Sequence, residues 1–220
     1  MTRLNRAALV IALPLMLGGC GVNTIPTLEA QAQTSFANLQ AAYQRRADLI
    51  PNLVATVKGY AAQEKSVLVE VTQARASATQ IKLDPSSLSD PAAVQKFASA
   101  QNTLGGSLSR LMVASERYPD LQSNQNFLAL QSQIEGTENR ILIARRDYNA
   151  AAQSYNLSLH TFPSVIWAST LYSKEKPLVP FQATDAAQNA PTVNFDAAPT
   201  ANTAAAPSAA TTTTTTSNTQ

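Results

Sequence analysis

The sequence predicts an all-α fold: an antiparallel bundle of three long helices followed by a short C-terminal helix. Three observations carry this expectation. Apolar side chains recur at alternating steps of four and three, the rhythm of a helical seam rather than of a strand. Glycine is scarce, 7 in 220 residues and none after Gly136, so tight turns are few. Apolar residues make up 45%, enough for a packed core, while the 14% charged residues fall well below the usual share of about 25% and leave the surface to Gln, Asn, Ser and Thr.

Residues 1–19 read as a secretory signal. Arg3 and Arg6 form a positive start, Ala7 to Leu17 is an apolar run, and Leu17-Gly18-Gly19-Cys20 follows. Spanning a bilayer takes roughly 20 apolar residues, so this run is short for a transmembrane helix. Small residues before the chain's only Cys resemble a bacterial lipobox, which implies lipidation of Cys20 and cleavage before it. The competing reading is an uncleaved anchor with an inert Cys. Gly21 in place of Asp after the Cys resembles outer-membrane sorting. Residues 20–27 then form the lipidated Cys and a short tether.

A seam runs through Ala32, Phe36, Leu39, Tyr43, Arg46, Ile50, Leu53, Val57, Tyr60, Glu64, Val67, Val71, Ala74, Ala78 and Ile81, predicting one helix over 28–82 with a kink at Pro51. Asp84-Pro85-Ser86-Ser87 is a turn. Asp90-Pro91 reads as an N-cap with Pro at the first helical position. The second helix carries Val94, Phe97, Gln101, Leu104, Leu108 and Leu111, with Gly105-Gly106 predicting a close helix approach. Pro119-Asp120 ends it and caps the third, whose seam is Phe127, Leu130, Ile134, Thr137, Ile141, Ala144, Tyr148, Ala151 and Tyr155. A short helix, 164–172, holds the lone Trp167, and Lys176 to Phe181 must be extended around its two prolines. The bundle thus covers 28–181. From 182 to 220 there is no Lys or Arg, and Ala and Thr supply 12 and 11 of 39 residues, so this tail predicts disorder.

Charge excludes one class of partner. Two of 16 basic residues lie in the leader, and the other 14 balance 14 acids, so the mature chain is formally neutral and no basic stripe marks it for nucleic acid. Catalysis and cofactor binding are also not expected: there is one His, one Cys, no Glu-x-x-His pair and no nucleophile elbow. The acids Glu116, Glu135 and Glu138 lack a second catalytic partner, and His160 reads as a helix-end residue rather than a metal ligand.

Several blocks then resemble the LemA family. Arg45-Arg46-Ala47-Asp48-Leu49-Ile50-Pro51-Asn52-Leu53-Val54 and Val57-Lys58-Gly59-Tyr60 are similar to its first signature. Arg117-Tyr118-Pro119-Asp120-Leu121, Asn126-Phe127, Gly136 to Ile141, Ala144 to Asn149, Tyr155-Asn156 and Phe162-Pro163 are similar to its second. The resemblance covers about Asn23 to Phe181. Gln63 departs from an expected His, and a lipobox replaces the family's usual transmembrane anchor. The resemblance implies an antiparallel helical bundle at a membrane, without known catalytic activity, and gene neighbourhoods with TPM-domain membrane proteins and membrane proteases.

Folding these helices about residue 86 and about Pro119 predicts two core ion pairs, Glu64 with Arg110 and Arg75 with Glu138. At 1.5 Å per residue the second helix, about 40 Å long, cannot cover the whole of a first helix about 80 Å long. Phe36, Leu39 and Tyr43 are therefore expected to form a partner-binding face for an unidentified membrane protein or a second copy. The alternative is a break at Ile50-Pro51 that folds the first half back. Together these readings describe a non-catalytic interaction scaffold, lipid-anchored in the cell envelope. A lipid- or small-ligand-binding module and a purely structural lipoprotein are the alternatives.

Overall fold

The computed structural model describes residues 21–182. The leader, Cys20 and the tail from 183 onward lie outside the described residues. In chain order the elements are α1 (Thr24–Tyr60), α2 (Lys65–Gln80), a 3-10 turn (Pro85–Ser87), α3 (Pro91–Ser115), the single turn α4 (Pro119–Gln122), α5 (Gln125–Ser158) and α6 (Ser164–Thr170).

The class is all-α, as the seams predict, but the helix expected over 28–82 is two helices. The chain turns at residues 61–64, so four long helices form the bundle. Helix α1 runs through Pro51 and ends where Ala61 leaves helical geometry, its amide still donating to the Val57 carbonyl. The sequence hides this break because no Pro or further Gly marks it, and because a four-residue turn preserves the three/four count. The phase slips only around the turn and is restored at Val71, Ala74 and Ala78, which are buried. Ala61 and Leu68 are buried, whereas the seam positions Tyr60 and Val67 are exposed and half-buried respectively. The tether is also shorter than expected, because α1 starts at Thr24 and buries Ile25.

Helix starts follow local chemistry. The Asp90 carboxylate accepts from the Ala92 amide at 2.9 Å, with Pro91 at the first helical position, where its missing donor costs nothing. Asn124, not Asp120, caps α5, accepting from the Phe127 amide at 3.1 Å.

Helices α1 and α5, of 37 and 34 residues, are each roughly 50–55 Å long. They pack antiparallel along their length, from Tyr60 beside Asn124 to Phe36 beside Tyr148. Helix α2 returns against the C-terminal half of α1, and α3 packs antiparallel to α2. The hairpin between α2 and α3 is asymmetric. After Gln80 the chain continues without helix to Leu83, whose carbonyl accepts from Gln40 Nε2 at 2.8 Å, and turns only at Pro85–Ser87. Helix α3 therefore begins beyond the end of α2, and its Val94 and Phe97 reach the N-terminal half of α1.

The core has two parts. One gathers Ile25, Phe36, Leu39, Tyr43, Phe97, Tyr148 and Tyr155. The other gathers Ile50, Leu53, Val57, Val71, Leu104, Leu111 and Phe127. Arg46 lies between them on α1, 3% exposed.

Candidate functional site

Arg46 is the chemical centre of the bundle. Its Nη1 donates to Glu138 Oε1 and Oε2 on α5 at 2.9 and 3.3 Å. Its Nη2 donates to the Gln101 carbonyl and to Gln101 Oε1 on α3 at 3.0 and 2.7 Å. Gln101 Nε2 in turn donates to the Ala78 carbonyl of α2 at 3.2 Å. One guanidinium and one amide thus connect all four long helices. The guanidinium also lies 5.2 Å from the Tyr43 ring centroid, within cation–π range. A Cβ on Gly105 would stand 3.6 Å from Arg46 Nη1 and one on Gly106 4.0 Å from Arg110 Nη2, ordinary contact distances, so the close helix approach expected at Gly105-Gly106 is not found.

Both expected core ion pairs are corrected. Glu138 pairs with Arg46, not with Arg75. Arg75 donates from Nε to the Ala47 carbonyl at 2.7 Å. Glu64 pairs with Arg117 at 2.9 Å and accepts from the Tyr118 hydroxyl at 3.0 Å, while Arg110 pairs with Glu70 at 2.6 Å. The asymmetric hairpin places Glu64 opposite residue 117 instead of residue 110, a shift of one heptad that keeps the same helix faces together.

The expected partner-binding face is also corrected. Phe36, Leu39 and Tyr43 are 1%, 0% and 6% exposed within the chain's own core. The break at 61–64 shortens α1 to the length of α5, which covers it. Phe97 and Phe181 complete the cover: Phe36 lies 6.4 Å from each ring, and Tyr43 lies 5.5 Å from Phe97.

Phe181 arrives on an extended strap held by asparagines. Asn156 donates to the Leu178 carbonyl and accepts from its amide, at 2.8 and 2.7 Å. Asn149 treats Phe181 in the same way, at 2.8 and 2.9 Å. Seven residues apart, the two amides share one face of α5 and supply the pairing that a neighbouring strand would give. Tyr148 donates to the Val179 carbonyl at 3.0 Å. The repeated Tyr-Asn doublet, 148–149 and 155–156, was the signal for this strap. Burial pushes the Tyr148 phenol up to about 12. Tyr155 is raised further, by burial first and then by Glu175 and Glu29.

The acids weighed as catalytic do not converge. Glu116 and Glu135 are exposed, Glu135 accepting from Gln131, and Glu138 is held by Arg46. His160 is exposed just past the end of α5. Among the described residues no group of three His, Cys, Asp or Glu is placed to hold a metal. No described helix is long and apolar enough to cross a membrane.

At the opposite end from the 61–64 turn, α6 lies beside the start of the described chain. A Cβ on Gly21 would stand 3.5 Å from Pro163 Cγ and 3.6 Å from Trp167 Nε1.

Comparison with known proteins agrees with this architecture. Residues 35–195 match the model of the LemA family. Two magnetosome proteins MamQ of Paramagnetospirillum magneticum are each 29% identical over 157 residues, 64% of this chain and 58% of theirs. Protein LemA of Metamycoplasma hominis is 28% identical over 132 residues, 60% of this chain and 56% of that protein. The chain thus matches little more than half the length of these relatives. With the family model spanning most of its residues, from within α1 through every later helix, the chain belongs to the LemA family.

Proposed function

We propose that this protein is a non-catalytic interaction scaffold of the cell envelope, held at the extracytoplasmic side of a membrane by lipid on Cys20. The observation that carries this reading is where the polar chemistry of the bundle is spent. Buried Arg46 and Gln101 and half-buried Glu138 bond one another and the helix backbones, and among the described residues no acid, base or nucleophile converges on a shared point. A site for chemistry needs such convergence. Two filled cores also speak for a rigid body that presents surface rather than one that encloses a small ligand. Attachment rests on the only thiol of the chain following Leu17-Gly18-Gly19.

The test has two arms. Mass spectrometry of the native protein should find a chain starting at a lipidated Cys20, and Cys20→Ser should abolish the modification. An intact Met1–Gln220 chain in membranes would overturn lipid anchoring. Crosslinking in cells from exposed positions of α2, α3 and α5 should trap a defined membrane protein or a second copy. A small molecule co-purifying with the chain, without any protein adduct, would overturn the scaffold reading in favour of a ligand-binding module.

A further inference from the structure

We infer that the α6 end of the bundle is a lipid-contact face, resting on the bilayer to which Cys20 is attached. This deepens the anchoring reading and rests on it. Four large apolar side chains stand exposed here within fifteen residues: Leu157 at 60%, Phe162 at 80%, Ile166 at 49% and Leu171 at 64%. Scattered exposed apolar residues are ordinary on any protein, but a cluster at one end is not. Residues 157–171 contain no Asp, Glu, Lys or Arg. Exposed Lys174 and Lys176 follow, where long cationic side chains suit the headgroup layer.

What selects a bilayer as the occupant is the position of the chain's entry. Gly21 packs against Pro163 and Trp167 of this same end, and Cys20 is the residue before it. Consecutive Cα atoms are about 3.8 Å apart, so acyl chains on Cys20 would enter the membrane beside α6. A short link of this kind leaves the protein no means of holding that end far from the lipid. Half-buried Trp167 fits the arrangement, since indole rings favour the boundary between headgroups and acyl chains. Anchoring and surface contact then act together, as two weak attachments do when one alone is marginal.

Trp167 is the only tryptophan and Cys20 the only thiol, so the chain carries its own probe and its own handle. Residues 20–220 would be coupled through Cys20 to maleimide-headgroup lipid in phosphatidylethanolamine–phosphatidylglycerol vesicles containing lipid brominated on its acyl chains. Trp167 emission should fall by at least half relative to unbrominated vesicles. The triple variant Phe162→Ser, Ile166→Ser, Leu171→Ser should lose most of that quenching. Its far-UV circular dichroism and urea midpoint should stay at wild-type values, because all three positions are exposed. Unquenched emission from the coupled wild type, or undiminished quenching in the folded triple variant, would overturn the proposal. Because the coupling is chemical, failure of lipidation in the cell would leave this outcome unaffected, and the two readings fail separately.

Discussion

Arg75 donates from Nε to the carbonyl of Ala47 at 2.7 Å, and that carbonyl is the one Pro51 leaves without its helical donor. In an α-helix the amide of residue 51 would bond the carbonyl of residue 47, and proline has no amide hydrogen. The arginine of α2 fills that place. The proline that would weaken α1 thereby becomes the point at which the second helix is fastened to the first.

A double-mutant cycle tests this relationship. Arg75→Met should lower stability by about 1–3 kcal/mol, the cost of a buried carbonyl left without a donor. In the Pro51→Ala background the same change should cost measurably less, because the amide of residue 51 then serves Ala47. Urea unfolding of the four proteins reads the coupling, and equal costs in both backgrounds would separate Arg75 from Pro51.

The Arg46–Glu138 pair should respond asymmetrically. Arg46 is 3% exposed and Glu138 43%. Glu138→Ala removes the counter-charge but leaves the guanidinium its bonds to Gln101 and should cost about 1–3 kcal/mol, whereas Arg46→Met also leaves the buried Gln101 oxygen without a donor and should cost more. The order of the two urea midpoints is the readout.

The strap should detach on removal of its asparagines. Asn149→Ala and Asn156→Ala each delete two hydrogen bonds to the extended chain. Each should cost about 1–3 kcal/mol. Hydrogen exchange at the Leu178 and Phe181 amides should accelerate in the variants well before the helices open. Phe181→Ala empties the aromatic cluster around Phe36 and Tyr148 and should cost about 3–5 kcal/mol.

Alkali should loosen the same end of the molecule. Burial raises the Tyr148 phenol from 10.0 to about 12, and Tyr155 is raised as well. The folded chain holds these protons more tightly than the unfolded one. Their contribution is therefore complete below about pH 10 and is lost as pH rises through the folded values. Stability measured by urea unfolding should fall with pH above about 10, and more gently in Tyr148→Phe.

Much of this was legible in the amino acids alone. The three/four seams marked every long stretch of helix, because burial on a helix repeats every three or four residues regardless of what covers it. Asp90-Pro91 marked the start of α3 because a cap acts through its nearest neighbours. The position of Arg46 on the seam marked a charge in the core. What covers each seam was decided only by tertiary structure. The turn at 61–64 carries no strong local signal, and a continuous helix over 28–82 satisfies the same periodicity. It is packing against α5, of nearly the same length as α1, that favours the turn and buries Phe36, Leu39 and Tyr43. Once the turn and the asymmetric run from Gln80 to Pro91 are in place, Glu64 meets Arg117, one heptad beyond Arg110, and Glu138 meets Arg46 of α1 instead of Arg75 of α2. Local chemistry sets periodicity and caps; register belongs to the loops, whose course depends on contacts made after the helices meet.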